Sequence, residues 1–192
     1  MANLKVSNFK IEDLKRTQFV KPVTLTYTQN EIQKQWEAVQ SHDSVAVLLY
    51  HEDKNSFLMV KQFRAPVYMH HRDYEFTYEL CAGIIDKEVS LEQVAKEEIE
   101  EECGFDVPLL NIEKMTSFFT NVGISGAKQH LYYASINDSM KVSEGGGIHD
   151  EEIELFYLDI NDTQEFIYDE SKAKTPGLMF AFEWFLKHKK TQ

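Results

Sequence analysis

Residues 83–105 read GIIDKEVSLEQVAKEEIEEECGF, and this stretch decides the fold. Ser90 with Gln93 three residues later is a capping-box start, and Gly104 is a natural end for a helix. At about 100° per residue, the apolar side chains between these limits fall on one stripe, formed by Leu91, Val94, Ala95 and Ile99. The pattern predicts a helix over residues 90–103 that buries one face.

Two acids interrupt the apolar stripe of this helix. Glu98 and Glu102, four residues apart, project into its middle, and Glu101 lies on its edge. Unpaired carboxylates on a core-facing arc would each cost several kcal/mol. A divalent cation is the simplest compensation, because oxygen-rich sites suit Mg²⁺ or Mn²⁺. The alternative is a solvated acidic helix, against which the phase of the two acids argues.

The stretch resembles the Nudix box, G-x5-E-x7-R-E-U-x-E-E-x-G-U, where U is a bulky apolar residue. The matching positions are Gly83, Glu98, Ile99, Glu101, Glu102, Gly104 and Phe105. Two positions depart from the pattern: Val89 replaces the early Glu and Glu97 replaces the Arg. In the family that Arg helps to orient the metal-binding acids, so its loss bears on the rate more than on the metal site.

Composition limits the classes of function. The chain has 192 residues, 43% of them hydrophobic and 27% charged, which fits one globular core. The net charge of −12 argues against a nucleic-acid or anionic-membrane surface. An acidic protein binds a diphosphate only where metal ions and local cations screen the charges. Neither a signal peptide nor a run of about 18 apolar residues is found, and the two cysteines, Cys81 and Cys103, suit reduced thiols in the cytoplasm.

Periodicity and turn residues predict an α/β (α+β) fold. Strands are predicted over residues 19–27, 44–50, 56–63, 76–82, 114–120, 128–136 and 152–160. Residues 33–40 fit a short helix or a strand. Helices are predicted over residues 162–171 and 175–189, the second with Thr175 as its N-cap and Pro176 at its first position. We expect an N-terminal β region over residues 1–42 and an α/β/α sandwich with a mixed sheet over residues 43–192.

Further segments narrow the resemblance to the UDP-sugar and ADP-ribose pyrophosphatase branch of the Nudix hydrolases. They are HDSVAVLLY (42–50), VKQFRAPVY (60–68), YELCAGIID (78–86), EEIEEECG (97–104), the GGG loop (145–147) and KTPGLMFAFEWFL (174–186). The UDP-glucose pyrophosphatase type is the most similar. The resemblance implies Mg²⁺-dependent hydrolysis of a nucleoside diphosphate sugar to a nucleoside monophosphate and a sugar phosphate, with Mn²⁺ as a substitute. It also implies a homodimer that exchanges N-terminal strands and uses them in the base pocket.

The resemblance assigns roles to five residues in or near the box. Glu98 and Glu102 correspond to acids that bind metal directly, and the backbone carbonyl of Ala82 corresponds to a further ligand. Glu101 either supports or bridges the metals or is a solvated acid. Arg64 corresponds to an Arg that contacts the substrate diphosphate, a task that suits a planar guanidinium. The alternative for Arg64 is a surface residue at the end of a strand.

A glycine-rich loop, SEGGGIHDEE over residues 143–152, is where we expect a mobile catalytic acid. Three glycines give such a loop the freedom to close over substrate. ADP-ribose pyrophosphatases carry an E-x-E pair here, and in this chain Glu151 matches the second acid while His149 occupies the first position. Three alternatives follow for the general base: His149 itself, Glu151 or Asp150 after a movement of the loop, or no side chain at all, with the metals alone activating water. We favour Glu151.

Substrate choice rests on weaker signals. Residues 120–126, TNVGISG, stand where ADP-ribose enzymes carry a Ser-Pro-Gly element, and the missing proline favours a UDP-sugar over ADP-ribose. Trp36 is a candidate for stacking on the base, although aromatic residues at such places are more often core. A catalytically decayed nucleotide-sugar binding module is the alternative from another class, supported by Val89 and Glu97.

Overall fold

The computed structural model describes residues 6–12, 14–17, 20–148 and 151–189. Its strands are β1 Lys21–Gln29, β2 Ile32–Gln40, β3 Ser44–His51, β4 Ser56–Gln62, β5 Thr77–Glu79, β6 Cys81–Ile84, β7 Glu113–Phe119, β8 Lys128–Ile136, β9 Ile153–Asp159 and β10 Ala173–Lys174. Its α-helices are α1 Ala65–His70, α2 Leu91–Glu98, α3 Thr163–Tyr168 and α4 Pro176–His188. A π-helical turn, Ile99–Cys103, continues α2, and single 3₁₀ turns occur at Leu109–Asn111, Asp138–Met140 and Ile160–Asp162.

Eight strands form one mixed sheet whose two central strands diverge. β3 pairs in parallel with β8 along its whole length. On its other edge, residues 49–51 pair with β4, whereas residues 44–47 pair with β6. β4 in turn pairs with β5 through residues 60–62 and with β9 on its outer edge. The segment that leads into the box therefore fills the gap between β3 and β4.

The alternation of β3 builds the two layers that cover the sheet. Val45, Val47 and Leu49 face one core, where Val94, Ala95 and Ile99 of the box helix lie. Ala46 and Leu48 face a second core, which α3 and α4 cover through residues such as Phe166, Phe182 and Phe185. The predicted α/β/α sandwich with a mixed sheet is thus confirmed.

The predicted box helix is present, but its last turn is wider than an α-helix. The Ser90 hydroxyl accepts a hydrogen bond from the Gln93 amide at 3.1 Å, as the capping pattern predicts. The helix ends at Gly104, which has φ +78°. Single π-helical turns inside helices are rare, and those that occur are often found at functional sites. Here the turn contains Glu101 and Glu102, so it sets the direction of both acids.

Several boundaries differ from the predicted ones. The strand expected over 76–82 is divided into β5 and β6 at Leu80, where the sheet diverges. Residues 33–40 form a strand, β2, because they pair with β1. Helix α1 and the short β10 were not predicted, since six and two residues are too few to show a periodicity. The helix over 175–189 is confirmed, with the Thr175 hydroxyl accepting a hydrogen bond from the Leu178 amide at 3.3 Å.

Within the described parts of the chain, no helix has the length and apolar character needed to cross a membrane.

The N-terminal hairpin of β1 and β2 is a separate two-stranded sheet. It touches the TNVGISG loop through two hydrogen bonds: the Val39 amide donates to the Ile124 carbonyl at 2.9 Å, and the Trp36 indole donates to the Gly123 carbonyl at 2.8 Å. Phe19, which we expected to start the first strand, lies outside the described residues.

The glycine loop is held against the end of the box helix. The Gly146 amide donates to the Glu102 carbonyl at 2.8 Å, and the Gly147 amide donates to the Glu101 carbonyl at 3.1 Å. A Cβ on Gly145 would lie 2.4 Å from the Glu102 carbonyl oxygen. Gly145 therefore serves a close backbone approach, and the mobility that we expected of this loop stays a prediction.

Gly145→Ala should destabilise the protein by more than about 2 kcal/mol, because a methyl group there combines a strained φ of +66° with a backbone overlap. Gly126→Ala is the matched control, since Gly126 has φ +63° with nothing within 4 Å of an added Cβ. It should cost only about 1 kcal/mol from the left-handed backbone. Urea denaturation measures both, and equal losses would contradict the close approach.

Candidate active site

The two acids in the apolar stripe meet the backbone of β6. Glu102 is only 6% exposed, and its carboxylate accepts a hydrogen bond from the Ala82 amide at 2.9 Å. This contact ties the π-helical turn to the strand that fills the gap in the sheet. The Cys81 thiol is also hydrogen-bonded to this carboxylate. A carboxylate offers about four acceptor sites, so sites remain for a further partner.

Gly83 is required by the position of Glu98. A Cβ built on Gly83 would lie 1.7 Å from Glu98 Oε1 and 2.0 Å from its carboxyl carbon. Any side chain at position 83 would therefore displace the Glu98 carboxylate from the strand. The box glycine gives space for an acid to lie across the backbone.

Burial makes both carboxyls resist ionisation. The pKa of Glu98 rises to about 7, chiefly because of burial and then because of the negative charges of Glu101 and Glu151. The pKa of Glu102 rises to about 8 for the same first reason, although the hydrogen bond from Ala82 opposes the rise. Two adjacent acids of this kind would ionise together at neutral pH if a cation lay between them. The donor set, with carboxylates and backbone oxygen, fits a hard divalent cation.

Glu151 lies close enough to act on this pair. Its charge raises the pKa of both Glu98 and Glu102 and acts on Arg64. Its Oε2 atom accepts from the Ile148 amide at 2.9 Å, so the side chain turns back over the glycine loop. The other two candidates for the catalytic base, His149 and Asp150, lie outside the described residues.

Arg64 follows β4 and precedes α1, and it is firmly paired. Its Nε donates to Glu79 Oε1 at 2.8 Å and its Nη2 donates to Glu79 Oε2 at 2.9 Å. The Thr77 hydroxyl lies 2.5 Å from Glu79 Oε1. Sequence reasoning missed Glu79, although its place in YELCAGIID, four residues before the box glycine, was visible.

Of the two departures from the box pattern, Glu97 is a partly exposed residue of the box helix and Val89 precedes that helix. Glu97, in the place of the Arg, forms an ion pair with Lys87 at 2.8 Å and accepts from the Gln93 side chain at 2.9 Å. The positive charge of Lys87 also lowers the pKa of Glu98. A cation therefore stands near the acids even though position 97 does not supply it. Val89 is exposed.

Two cavities flank the junction of β5 and β6. The smaller has about 340 Å³ and reaches Ala82; its wall combines Phe118 and Phe119 with Thr120, Asn121 and Gln129. The larger has about 850 Å³ and includes Arg64; its wall combines Val67 and Met179 with His71, Tyr74, Tyr168 and Lys172. Three residues line both: Glu79, Thr175 and Pro176. Cavities of this size accommodate small organic ligands.

Trp36 is placed on the hairpin, where it is 54% exposed and hydrogen-bonded to the loop that carries Thr120 and Asn121. It therefore contacts the loop that lines the smaller cavity and does not itself line either cavity of the same chain. Its stacking on a base stays a prediction.

A second acidic group lies at the other end of β3. Ligand atoms of His51, Asp53 and Asp138 all lie within 4.8 Å of one another, the only such group of three found among the described residues. Lys54 already occupies it, with its Nζ 2.7 Å from Asp138 and 3.0 Å from His51. Gly83 pairs with the start of β3, about 20 Å away at about 3.3 Å per residue. The lysine supplies the positive charge that these acids need.

Comparison with known proteins agrees with the geometry. Residues 40–176 match the model of the NUDIX domain. The chain is 34% identical to the uridine diphosphate glucose pyrophosphatase NUDT14 of Bos taurus over 195 residues, covering 87% of this chain and 88% of that protein. It is 31% identical, with the same coverage, to the protein of that name in Mus musculus. It is also 31% identical to a GDP-mannose pyrophosphatase of Pectobacterium atrosepticum over 122 residues, covering 64% of this chain and 62% of that protein.

The buried acids predict a pH-dependent stability in the metal-free protein. Folding favours their protonated forms, so this stability is fully present below the ordinary value of 4.5 and is lost as the pH rises through about 7 and about 8. The Gln side chain in Glu102→Gln resembles the protonated acid, so this variant should lose less stability than the parent as the pH rises. In EDTA it should therefore match the parent in acid and melt several degrees higher near pH 9.

Thermal unfolding measured across this pH range, with and without Mg²⁺, tests the prediction. Glu100→Gln is the control, because Glu100 lies on the exposed side of the same helix. A difference in melting temperature between the parent and Glu102→Gln that stays the same at every pH would contradict the prediction.

Proposed function

The chain belongs to the Nudix family, whose members generally use a divalent metal, and we propose that it hydrolyses the diphosphate of a nucleoside diphosphate sugar, UDP-glucose or a close UDP-sugar. One observation carries the proposal. Glu102 is buried and Glu98 is half-buried against the backbone of β6, with pKa values raised to about 8 and about 7, respectively. A protein without use for a cation would gain stability by replacing such acids with apolar residues.

The donor set proposed for the metal is the carboxylates of Glu98 and Glu102 with the backbone carbonyl of Ala82. Mg²⁺ suits these oxygen donors, and Mn²⁺ can substitute. When bound, the metal would screen the charge of the diphosphate and lower the pKa of the attacking water. Gly83 and the Ala82 amide keep the two acids at the strand, so the donor set is organised before metal arrives.

The remaining roles belong to side chains around this donor set. Arg64 binds the diphosphate, since it is a cation that faces the acids across the gap in the sheet. Glu151 accepts the proton of the attacking water, and Glu101 supports the metal-binding acids. Water adds to one phosphorus while the bond from that phosphorus to the bridging oxygen breaks. The products are a nucleoside monophosphate and a sugar 1-phosphate.

The choice of UDP-sugar rests on this chain's loops and on its relatives. The relatives named above act, by their names, on UDP-glucose or GDP-mannose, and they share the class of nucleotide sugars. The TNVGISG loop, which lines the smaller cavity through Thr120 and Asn121, has no proline. His149 stands where ADP-ribose enzymes carry the first loop acid. Both features favour a UDP-sugar over the alternative substrate, ADP-ribose.

The N-terminal region, residues 1–42, is proposed to form a homodimer by exchanging strands and to complete the base pocket. The register of β1 and β2 places apolar side chains on one face of the hairpin: Val23, Leu25, Tyr27, Ile32, Trp36 and Ala38. Four of these, Leu25, Tyr27, Ile32 and Trp36, are between 42% and 61% exposed. A two-stranded hairpin is marginal by itself, so an apolar face on it calls for a second copy of the chain.

The two thiols bear on the compartment. Cys81 and Cys103 are free and buried, and they flank Ala82 and Glu102. Burial raises the pKa of the Cys81 thiol well above its ordinary value, which keeps it protonated. Two free thiols suit a reducing compartment, and we propose the cytoplasm.

Kinetics with Mg²⁺ test the activity and the substrate together. UDP-glucose should be hydrolysed with release of UMP and with a higher kcat/KM than GDP-mannose or ADP-ribose. Glu98→Gln and Glu102→Gln should each lower kcat by about 10³-fold, because each removes a proposed metal ligand. Glu100→Gln should keep kcat within about twofold, since its carboxylate points to solvent.

The outcomes separate the hypotheses. A preference for ADP-ribose would overturn the substrate and leave the hydrolase standing. Binding of UDP-glucose without turnover would favour the decayed binding module. Turnover by Glu98→Gln or Glu102→Gln within a few-fold of the parent would refute the proposed metal site.

The proposed dimer is tested by placing a charged residue on the apolar face of the hairpin and, as a control, on its opposite face. Leu25→Glu should convert a homodimer into a monomer in sedimentation equilibrium, because an ionised side chain would be buried in the proposed interface. Thr26→Glu is the matched control on the opposite face, where the side chain is exposed. A parent chain that sediments as a monomer, or a Leu25→Glu variant that still dimerises, would contradict the exchange.

A further inference from the structure

Among the residues that the structure describes, Glu79 is the acid that pairs with Arg64. Its carboxylate is 13% exposed, against 46% for the arginine, and it takes both a 2.8 Å and a 2.9 Å hydrogen bond from the guanidinium. The Thr77 hydroxyl at 2.5 Å fixes the same carboxylate from the other side. Paired, two-point contacts of this kind define the orientation of the guanidinium plane as well as its position.

The contact uses one edge of the guanidinium. Glu79 engages Nε and Nη2, so the edge formed by Nη1 and Nη2 stays available. That edge presents two parallel N–H donors, which match two oxygens of a phosphate group. An arginine held in this way is prepared for an anion without further ordering of its side chain.

The surroundings of Arg64 show why it needs to be held. After Glu79, the next charges that act on it are those of Glu102 and Glu151. A guanidinium released from Glu79 would turn toward these acids and neutralise the groups proposed to hold metal. The same removal of Glu79 would take away one negative charge that repels a diphosphate. We expect substrate binding to weaken all the same. The negative charge of Glu79 is already neutralised by Arg64, so removing it brings little, whereas the guanidinium of Arg64 loses its orientation.

Glu79 also marks where the two cavities meet. It lines both of them, whereas Ala82 lines only the smaller and Arg64 only the larger. A nucleotide sugar has two bulky ends joined by a diphosphate. A diphosphate lying between Ala82 and Arg64 would direct one end into each cavity.

We infer that Glu79 is the positioning residue of Arg64: it holds the guanidinium at the junction of the two cavities, with its free edge toward the diphosphate and away from Glu102 and Glu151. The inference rests on the proposed function, since it takes the diphosphate as the anion that Arg64 binds. Thr77 supports Glu79 through its hydroxyl.

A double-mutant cycle tests the inference with UDP-glucose and Mg²⁺. Glu79→Gln should lower kcat/KM about tenfold through KM, and Arg64→Ala about a hundredfold. The double variant with Arg64→Ala and Glu79→Gln should be no worse than Arg64→Ala, because Glu79 acts only through the arginine. The half-saturating Mg²⁺ concentration should rise in Glu79→Gln and return to the parent value in the double variant. Glu154→Gln is the control, because Glu154 pairs with Lys61 on β4 at 3.0 Å, and kcat/KM should stay within about twofold.

Two results would overturn the inference: a double variant whose loss is the product of the single losses, or a Glu79→Gln enzyme within twofold of the parent. Melting temperatures identify a variant that fails to fold. In that case Thr77→Val, which keeps the Glu79 carboxylate and removes the Thr77 hydroxyl, should raise KM several-fold, and an unchanged KM would count against the inference.

Calorimetric titration with UDP and Mg²⁺ measures the coupling between Glu79 and Arg64 without turnover. If the parent does not hydrolyse UDP-glucose, the proposed function fails, while non-additive UDP affinities would still establish the coupling of Glu79 to Arg64.

Discussion

The contact of the buried Glu102 and the half-buried Glu98 with the backbone of β6 is the constraint on which the rest of the site depends. It needs a strand in the gap between β3 and β4, which is why the central strands diverge. It needs a residue without a side chain at position 83, because Glu98 lies where a Cβ would be. It also needs the π-helical turn that directs Glu102 to the Ala82 amide. All three features serve one pair of acids.

The distribution of charge follows from the same constraint. A chain with net charge −12 must bind a diphosphate beside its own acids, and the cations near the site are few. Arg64 is held by Glu79 and Lys87 is held by Glu97. Pairing reduces the net attraction of each cation, yet it prevents either one from settling onto the acids that a metal would need. In the proposed reaction, the required positive charge is therefore left mainly to the metal.

The sequence predicted those parts of the site that are local in the chain. A cap, a periodicity and a glycine stop were enough to place the box helix, and the phase of Glu98 and Glu102 showed that they face the core. The role of Glu79 was not visible, because its partner Arg64 is 15 residues away and no local pattern links a strand acid to a residue after the neighbouring strand. The glycine loop was interpreted as mobile because glycines permit both freedom and close approach. The contact with the Glu102 carbonyl accounts for a close approach at Gly145, and the mobility of the loop stays a prediction.

Chemistry and specificity are fixed by different parts of this molecule. The acids are held by backbone contacts of β6 and by one helix, so they leave little room for variation. The cavities, in contrast, are lined by side chains from loops and helices far apart in sequence, such as Asn121, Tyr168 and Met179. Exchange of a few of these side chains would change which nucleotide or sugar fits without disturbing the donor set. This separation gives a physical reason why relatives of similar identity carry names that refer to different nucleotide sugars, and it places the determinants of substrate choice in the cavity walls and the hairpin.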